Sequence, residues 1–210
     1  LPADKQTVNA IFKIAGYNDL TTDITVTEQL DDKNKFSLTQ NGKLYFLSKR
    51  TGKLNVMSSN LDGSDAKIVV EGTGKENVNT ATLLASRDWK YLALLSNRDS
   101  DQQKLYLINT ADGKMTLMDE GNKVEFNPVG WYDDQFIYKV NRNDVEAWKP
   151  NGQSLKSFNA TSAKITTIDS TAASGNSPND WRHENIEGVY ILENQVVYAK
   201  YWNRTPYPAG

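Results

Sequence analysis

The sequence predicts an all-β chain in which one four-stranded antiparallel unit is written several times, and three observations predict it. Polar turns recur at "QNGK" (40–43), "RDWK" (87–90), "YDDQ" (132–135) and "LENQ" (192–195), spaced 47, 45 and 60 residues apart. Each follows a short apolar stretch ("FSL", "ATLLA", "NPVGW", "VYIL") and precedes an alternating or fully apolar run ("LYFLS", "YLALLS", "FIYKV", "VVYAK"). A second hairpin lies between these, its last strand opened by Lys67 in "KIVVE", Lys114 in "KMTLMD" and Lys164 in "KITTID". Turn residues that accept positive φ, flanked by β-branched and aromatic residues, are the signature of hairpins.

Four short strands in about 45 residues is the size of a propeller blade. The expected organisation is a single β-propeller domain over 1–210. It comprises a third-and-fourth-strand hairpin at 8–28, blades at 36–70, 80–119 and 124–169, and a first-and-second-strand hairpin at 186–202. "NTADGKMTLMD" matches "NATSAKITTID" at a constant offset of 50, and the third unit carries the insertion "NDVEAWKPNGQ". At the beginning, "AIFKIAG" and "DITVTEQ" flank the turn "YNDLT", with Asp23 standing where Lys67 stands 44 residues later. Pairing of the two end hairpins would close four blades of four antiparallel strands, one blade shared between the N- and C-termini. Closure removes the edge strands that invite aggregation. The alternative is a fragment of a larger propeller.

Bulk properties bound the function. A chain of 210 residues can bury about 70% of its unfolded surface. A net charge of −2 with mixed signs gives no footprint for nucleic acid or an anionic membrane. The longest apolar stretches, such as "YLALL", are far too short to span a bilayer. The absence of cysteine excludes disulfides and thiolate metal sites. "LPADKQTV" lacks both a leader pattern and a methionine, so the chain reads as a mature or excised piece. Abundant Asn, Thr, Ser and Tyr point to an extracytoplasmic bacterial protein, periplasmic or at the cell surface.

The stretch "SRDWKYLALLSNRD…KLYLINTADGKMTLM" resembles the SPDG-type propeller repeat of TolB-like proteins and of dipeptidyl-peptidase and prolyl-oligopeptidase propellers, a WD-repeat-like pattern. Ser86, Asp88, Lys90, Ala93, Ser96, Arg98 and Asp99 carry the likeness; Arg87 replaces its proline and Trp89 its glycine. The match is best in the second unit, weaker in the first, and faint in the third and in the split one. The resemblance implies a scaffold for protein or ligand docking, or a gating domain beside a separate catalytic one.

In such blades alternate connections fall on opposite faces. The second-to-third connections (49–53, 97–103, 141–153) and the interblade links (29–35, 71–79, 119–124, 170–185) are expected on one face, which carries both long insertions. Loops on a rigid scaffold are where binding usually lives. Arg50, Arg98, Arg142 and Arg204 each follow the second strand of their unit. They suit either a guanidinium crown for an acidic partner or ties within each loop, for instance to Asp99 or Asp144. Trp148, Trp181 and Trp202 are placed in loops or at the terminus, and Trp148 and Trp181 are candidates for partner or glycan contact. Tyr45, Phe46, Tyr91, Tyr106, Phe136, Tyr138, Tyr190 and Tyr198 are expected in cores.

No catalytic constellation stands out. His183, the sole histidine, is placed in an interblade loop, and a multi-imidazole metal site is absent. "SGNSPND" lacks the spacing of a nucleophile elbow. Asp133 and Asp134 beside Trp131 and Tyr132 imitate a glycosidase pair but occupy a turn, where Asp is favoured for backbone reasons. Asp99 and Asp101 have a calcium-like spacing with too few oxygens around them. The expectation is a non-enzymatic domain with no cofactor and no metal, docking a protein partner on its long-loop face. Carbohydrate binding, or service as the accessory propeller of a peptidase or lyase, are the alternatives.

Overall fold

The computed structural model describes residues 6–26, 35–146, 149–173, 182–193 and 195–204. Among them every regular element is a strand. The chain divides into two compact units, Leu1–Tyr45 with Ser58–Lys67 and Phe46–Met57 with Ile68–Gly210.

In the first unit β1 (Gln6–Phe12) and β2 (Leu20–Val26) form the expected antiparallel hairpin, with Asn9 donating to Asp23 at 2.9 Å. Its turn is tied to the next segment by Asn18 N–H donating to Thr39 O and Asn41 N–H to Gly16 O, each at 2.8 Å. The rings of Phe12 and Phe36 lie 5.3 Å apart. The segment "FSL" at 36–38, expected as the first strand of a blade, is irregular chain instead, with one isolated bridge between Tyr17 and Gln40. A three-stranded sheet comes next along the chain, in the order β3 (Lys43–Ser48), β4 (Asn55–Asn60), β5 (Lys67–Val70).

The second unit contains two complete four-stranded antiparallel sheets. One runs β6 (Thr82–Ala85), β7 (Tyr91–Ser96), β8 (Lys104–Asn109), β9 (Met115–Asp119); the other runs β10 (Val124–Tyr132), β11 (Gln135–Arg142), β12 (Gln153–Asn159), β13 (Lys164–Ser170). Each sheet is a meander in chain order, as its turn chemistry requires. Its last sheet is the hairpin β14 (Arg182–Leu192) and β15 (Gln195–Arg204). The first strands of successive sheets, β6, β10 and β14, lie side by side.

The sheets pack face to face, which explains the fully apolar strands. Ala93 and Leu95 of β7 join Phe136, Tyr138 and Val140 of β11 in one core, while Ile137 of β11 joins Leu155 and Ile186 in the next. Both faces of β11 are therefore buried, and a strand covered on two sides reads as continuous hydrophobicity. Trp131 locks the first of these cores: its indole N–H donates to Leu84 O at 2.9 Å, and its ring sits 5.1 Å from Phe136.

The turns differ more than their sequences suggest. Tyr132 pairs directly with Gln135 across a two-residue loop in which Asp133 has φ +47°. The "RDWK" turn is wider: Ser86 N–H donates to Tyr91 O, and Trp89 takes φ +59° where the SPDG pattern carries glycine.

Among the described residues β1–β2 and β14–β15 are each two-stranded sheets, and no sheet closes. Two expectations are corrected. Phe46 and Tyr190 are not core residues; they are 38% and 63% exposed. His183 lies in β14 rather than in a loop, because that hairpin extends further toward the N-terminus than the apolar run predicts; Trp202 lies in β15, within the expected hairpin.

Candidate functional site

Within the second unit the long connections are sewn into one continuous surface. Arg98, in the β7–β8 loop, donates through Nη2 to Glu71 O at 2.9 Å, and Thr73 Oγ1 donates back to Arg98 O at 2.8 Å. Asn77 N–H donates to Asn97 Oδ1 at 2.8 Å, and Gln103 Nε2 to Thr80 O at 2.8 Å. The same loop reaches the next link through Gln102 Nε2 to Asn122 Oδ1 at 2.7 Å. From there Asn143 N–H donates to Lys123 O, and Arg142 N–H to Gly152 O, each at 2.8 Å. Links and second-to-third connections, grouped on one face by the alternation of blade loops, thus hold each other in place.

That surface ends in a cleft of about 300 Å³ where β11, β12 and β14 meet. Gln153 is fixed at its base: its N–H donates to Thr171 Oγ1 at 3.1 Å, and its Oε1 accepts from Ile186 N–H at 2.7 Å. Glu184 accepts from Ala172 N–H at 2.6 Å and lies 3.2 Å from Lys200 Nζ. His183 and Asn185 complete that wall. Asn141 donates to Glu125 at 3.4 Å, and its Oδ1 is buried with no hydrogen-bond donor among the described residues.

The arginines have unlike surroundings. Arg98 is 9% exposed and is held by Glu71 O, by Met115 Sδ at 3.2 Å and by Asp99, whose Oδ1 is 3.8 Å from Nε. Arg142 makes two bonds to Asp144, Nε to Oδ1 at 3.2 Å and Nη2 to Oδ2 at 2.8 Å. That pairing raises the guanidinium pKa and holds the Asp144 carboxyl below the ordinary carboxylate range. Arg50 stands exposed in a turn. Arg204 is the last residue of β15, and Trp148 and Trp181 lie outside the described residues. Sequence reasoning singled out the loops and Arg142, but it missed Asn141, Gln153 and Asn185, whose only signal was an amide at or just inside a strand end.

Asp99, considered for calcium, has its Oδ2 occupied by Tyr106 Oη–H at 2.7 Å. Asp134 accepts from Asn159 Nδ2 at 2.8 Å and carries the Ala160 N–H on its carbonyl, as a turn residue would. Among the described residues no group of three or more His, Cys, Asp or Glu could hold a metal ion, and no helix is long and apolar enough to cross a membrane.

The fold is that of an all-β chain of antiparallel, blade-like sheets. No family model and no curated protein matches the sequence. Solved structures similar to it include a TolB from Acinetobacter baumannii (9% identity, TM-score 0.48, covering 75% of this chain and 40% of that one). They also include an Agrobacterium tumefaciens protein described as a TolB (12%, TM-score 0.44, covering 73% and 56%) and a prolyl endopeptidase (17%, TM-score 0.49, covering 75% and 23%). The chain thus spans between about a quarter and just over half of these proteins. At such scores no residue correspondence is drawn from them.

Proposed function

We propose that this chain is a β-propeller domain, non-enzymatic and extracytoplasmic, that docks a protein partner on its long-connection face. The observation that carries the reading is the hydrogen-bonded continuity from Glu71 through Arg98, Asn122 and Asn143 to Thr171. A surface whose loops are already ordered loses little conformational freedom on binding, and that saving is what makes rigid loop faces good docking sites. The opposite ends of the same sheets carry short turns around a smaller recess of about 210 Å³ near Asp88 and Asp133.

The test compares the two faces. Immobilised protein is cross-linked to components of an envelope extract, and the captured partner is retitrated against variants with matched charge reversals. Lys123→Glu with Arg142→Glu on the long-connection face should weaken capture at least tenfold at unchanged melting temperature. Arg87→Glu with Lys90→Glu on the short-turn face should leave it unchanged. Equal loss from both pairs, or loss only from the second, overturns the reading.

A further inference from the structure

The last strand of the chain is built unlike the last strands of the earlier sheets. β5, β9 and β13 have four, five and seven residues, and each begins at a lysine or just after one. Short, charged strands discourage pairing with another chain. β15 has ten residues, and its one lysine, Lys200, is already held by Asp169 at 3.1 Å and Glu184 at 3.2 Å. Val197, Tyr201 and Trp202 along it are exposed, as is Tyr190, which pairs with Val197 from β14.

β11 and β15 are both second strands, and each sends a tyrosine to the last strand of the sheet before, Tyr138 to Asp119 and Tyr198 to Asp169. β11 carries β12 on its other side with that bond intact, so the clasp leaves room for a third strand. The lysine on Asp119 comes from the third strand, as Lys156; the lysine on Asp169 comes from β15 itself, as Lys200. The last clasp is thus complete on two strands. Among the described residues β15 pairs with β14 alone, and the side that β12 fills beside β11 is where a further strand fits.

The sequence of β15 is complementary to a second β15 running antiparallel. Centred on Ala199, that register sets Val197 opposite Tyr201 and Val196 opposite Trp202, each twice by symmetry, and Lys200 opposite Tyr198. Aromatic residues opposite β-branched ones are favourable cross-strand pairs, and like charges directly opposite are unfavourable. Centring on Lys200 would set two ammonium groups against each other, and centring on Tyr198 would lose every pair of valine with an aromatic ring. Directly opposed residues share a face, so Tyr190, Val197 and Tyr201 of the second copy would form one apolar row.

We infer that two copies of this chain associate by antiparallel pairing of β15 about a two-fold axis at Ala199. The two hairpins then make one four-stranded sheet, the strand number of the complete sheets. Such a contact is isologous: each copy offers the same edge, and the pair closes without growing into a fibre. The contact uses the strand edge and none of the loops of the docking face.

The experiment is gel filtration with light scattering on the 210-residue chain. It should give twice the chain mass at about 100 μM and fall toward the monomer on dilution. Val197→Lys with Tyr201→Lys sets lysine against lysine in the paired register, on exposed side chains, and should weaken association at least tenfold at unchanged melting temperature. The chain has no cysteine, so the thiol placed by Ala199→Cys has only its symmetry mate to meet. Opposed Cα atoms lie about 4.5–5.5 Å apart, within disulfide reach, whereas thiols from Val197→Cys would stand about 13 Å out of register. Ala199→Cys should therefore oxidise to a covalent dimer at least tenfold faster than Val197→Cys. A monomer at about 100 μM overturns the inference, including one whose own β1 covers β15. So does a dimer that the lysine pair leaves intact, or equal oxidation of the two cysteine variants.

Discussion

Tyr138 Oη–H donates to Asp119 Oδ2 at 2.8 Å, from the second strand of one sheet to the last strand of the sheet before it. The relationship recurs one sheet later, where Tyr198 donates to Asp169 Oδ2, also at 2.8 Å. Each aspartate has a lysine as well, Lys156 at 3.0 Å from Asp119 and Lys200 at 3.1 Å from Asp169. A tyrosine, an aspartate and a lysine thus clasp neighbouring sheets twice by the same device.

The two clasps differ in burial, and that sets the expected cost of cutting them. Tyr138 is 0% exposed, so Tyr138→Phe removes a hydrogen bond to a charged group that water cannot replace. We expect a loss of about 1–2 kcal/mol, since Lys156 keeps Asp119 paired. Tyr198 is only partly buried, and Tyr198→Phe should cost less than about 1 kcal/mol. Urea unfolding of both variants checks the order, and a larger loss at Tyr198 would contradict the role of burial.

The same clasp gives stability an alkaline limit. Burial, and then the charge and hydrogen bond of Asp119, push the Tyr138 phenol above its ordinary value of 10.0; burial and Asp99 do the same to Tyr106. The folded state therefore holds these protons more tightly than the unfolded chain does. Their contribution is complete below pH 10 and declines as the pH rises beyond it. Urea midpoints between pH 8 and about 11 should fall less steeply in Tyr138→Phe than in the parent. Parallel slopes would show that the phenol does not take part.

The hairpins and the last-strand lysines were legible in the sequence because they are local: β5 starts at Lys67 and β13 at Lys164, where the repeat places them. The clasps were not legible, because Asp119 and Tyr138 meet only once two sheets stack, and nothing at either position alone announces the pairing. The exposure of Phe46 and Tyr190 has the same origin. An apolar residue on a strand predicts a face that wants cover, and the sequence does not say whether cover arrives. The sewing of the loops escaped notice because most of its bonds use a backbone carbonyl as acceptor, and any residue supplies one.

Arg98 lies two residues past β7 and Arg142 is the last residue of β11, so both stand at the end of a second strand, yet their loss should be felt very differently. Arg98→Ala strips a buried guanidinium from Glu71 O and opens the seam between link and loop. About 2–3 kcal/mol should be lost, and lysine should not rescue it, since a single ammonium does not reproduce the fork. The Arg142 side chain is 44% exposed and, among the described residues, bound to Asp144 alone, so Arg142→Ala should change stability by less than about 0.5 kcal/mol. Thermal melts of the pair decide it, and equal losses would mean that the exposed ion pair is structural.

Gly113 and Gly52 both have positive φ, +69° and +90°, so alanine at either forces an L-residue into the left-handed region. At Gly52 that is the whole cost, because a Cβ there would meet nothing within 4 Å. Gly52→Ala should therefore lose about 1 kcal/mol. At Gly113 the Cβ would stand 2.7 Å from Val69 O, the carbonyl of a neighbouring strand that is backbone and has no rotamer to yield. The β8–β9 turn would have to move away from β5, taking with it the bond from Gly113 N–H to Asn109 O at 2.8 Å. Gly113→Ala should cost more than about 2 kcal/mol, the conformational term plus a displaced turn. Denaturant midpoints for the two alanine variants measure the difference directly. If they coincide, the turn tolerates displacement, and the close approach of Gly113 to Val69 does not hold the two sheets in register.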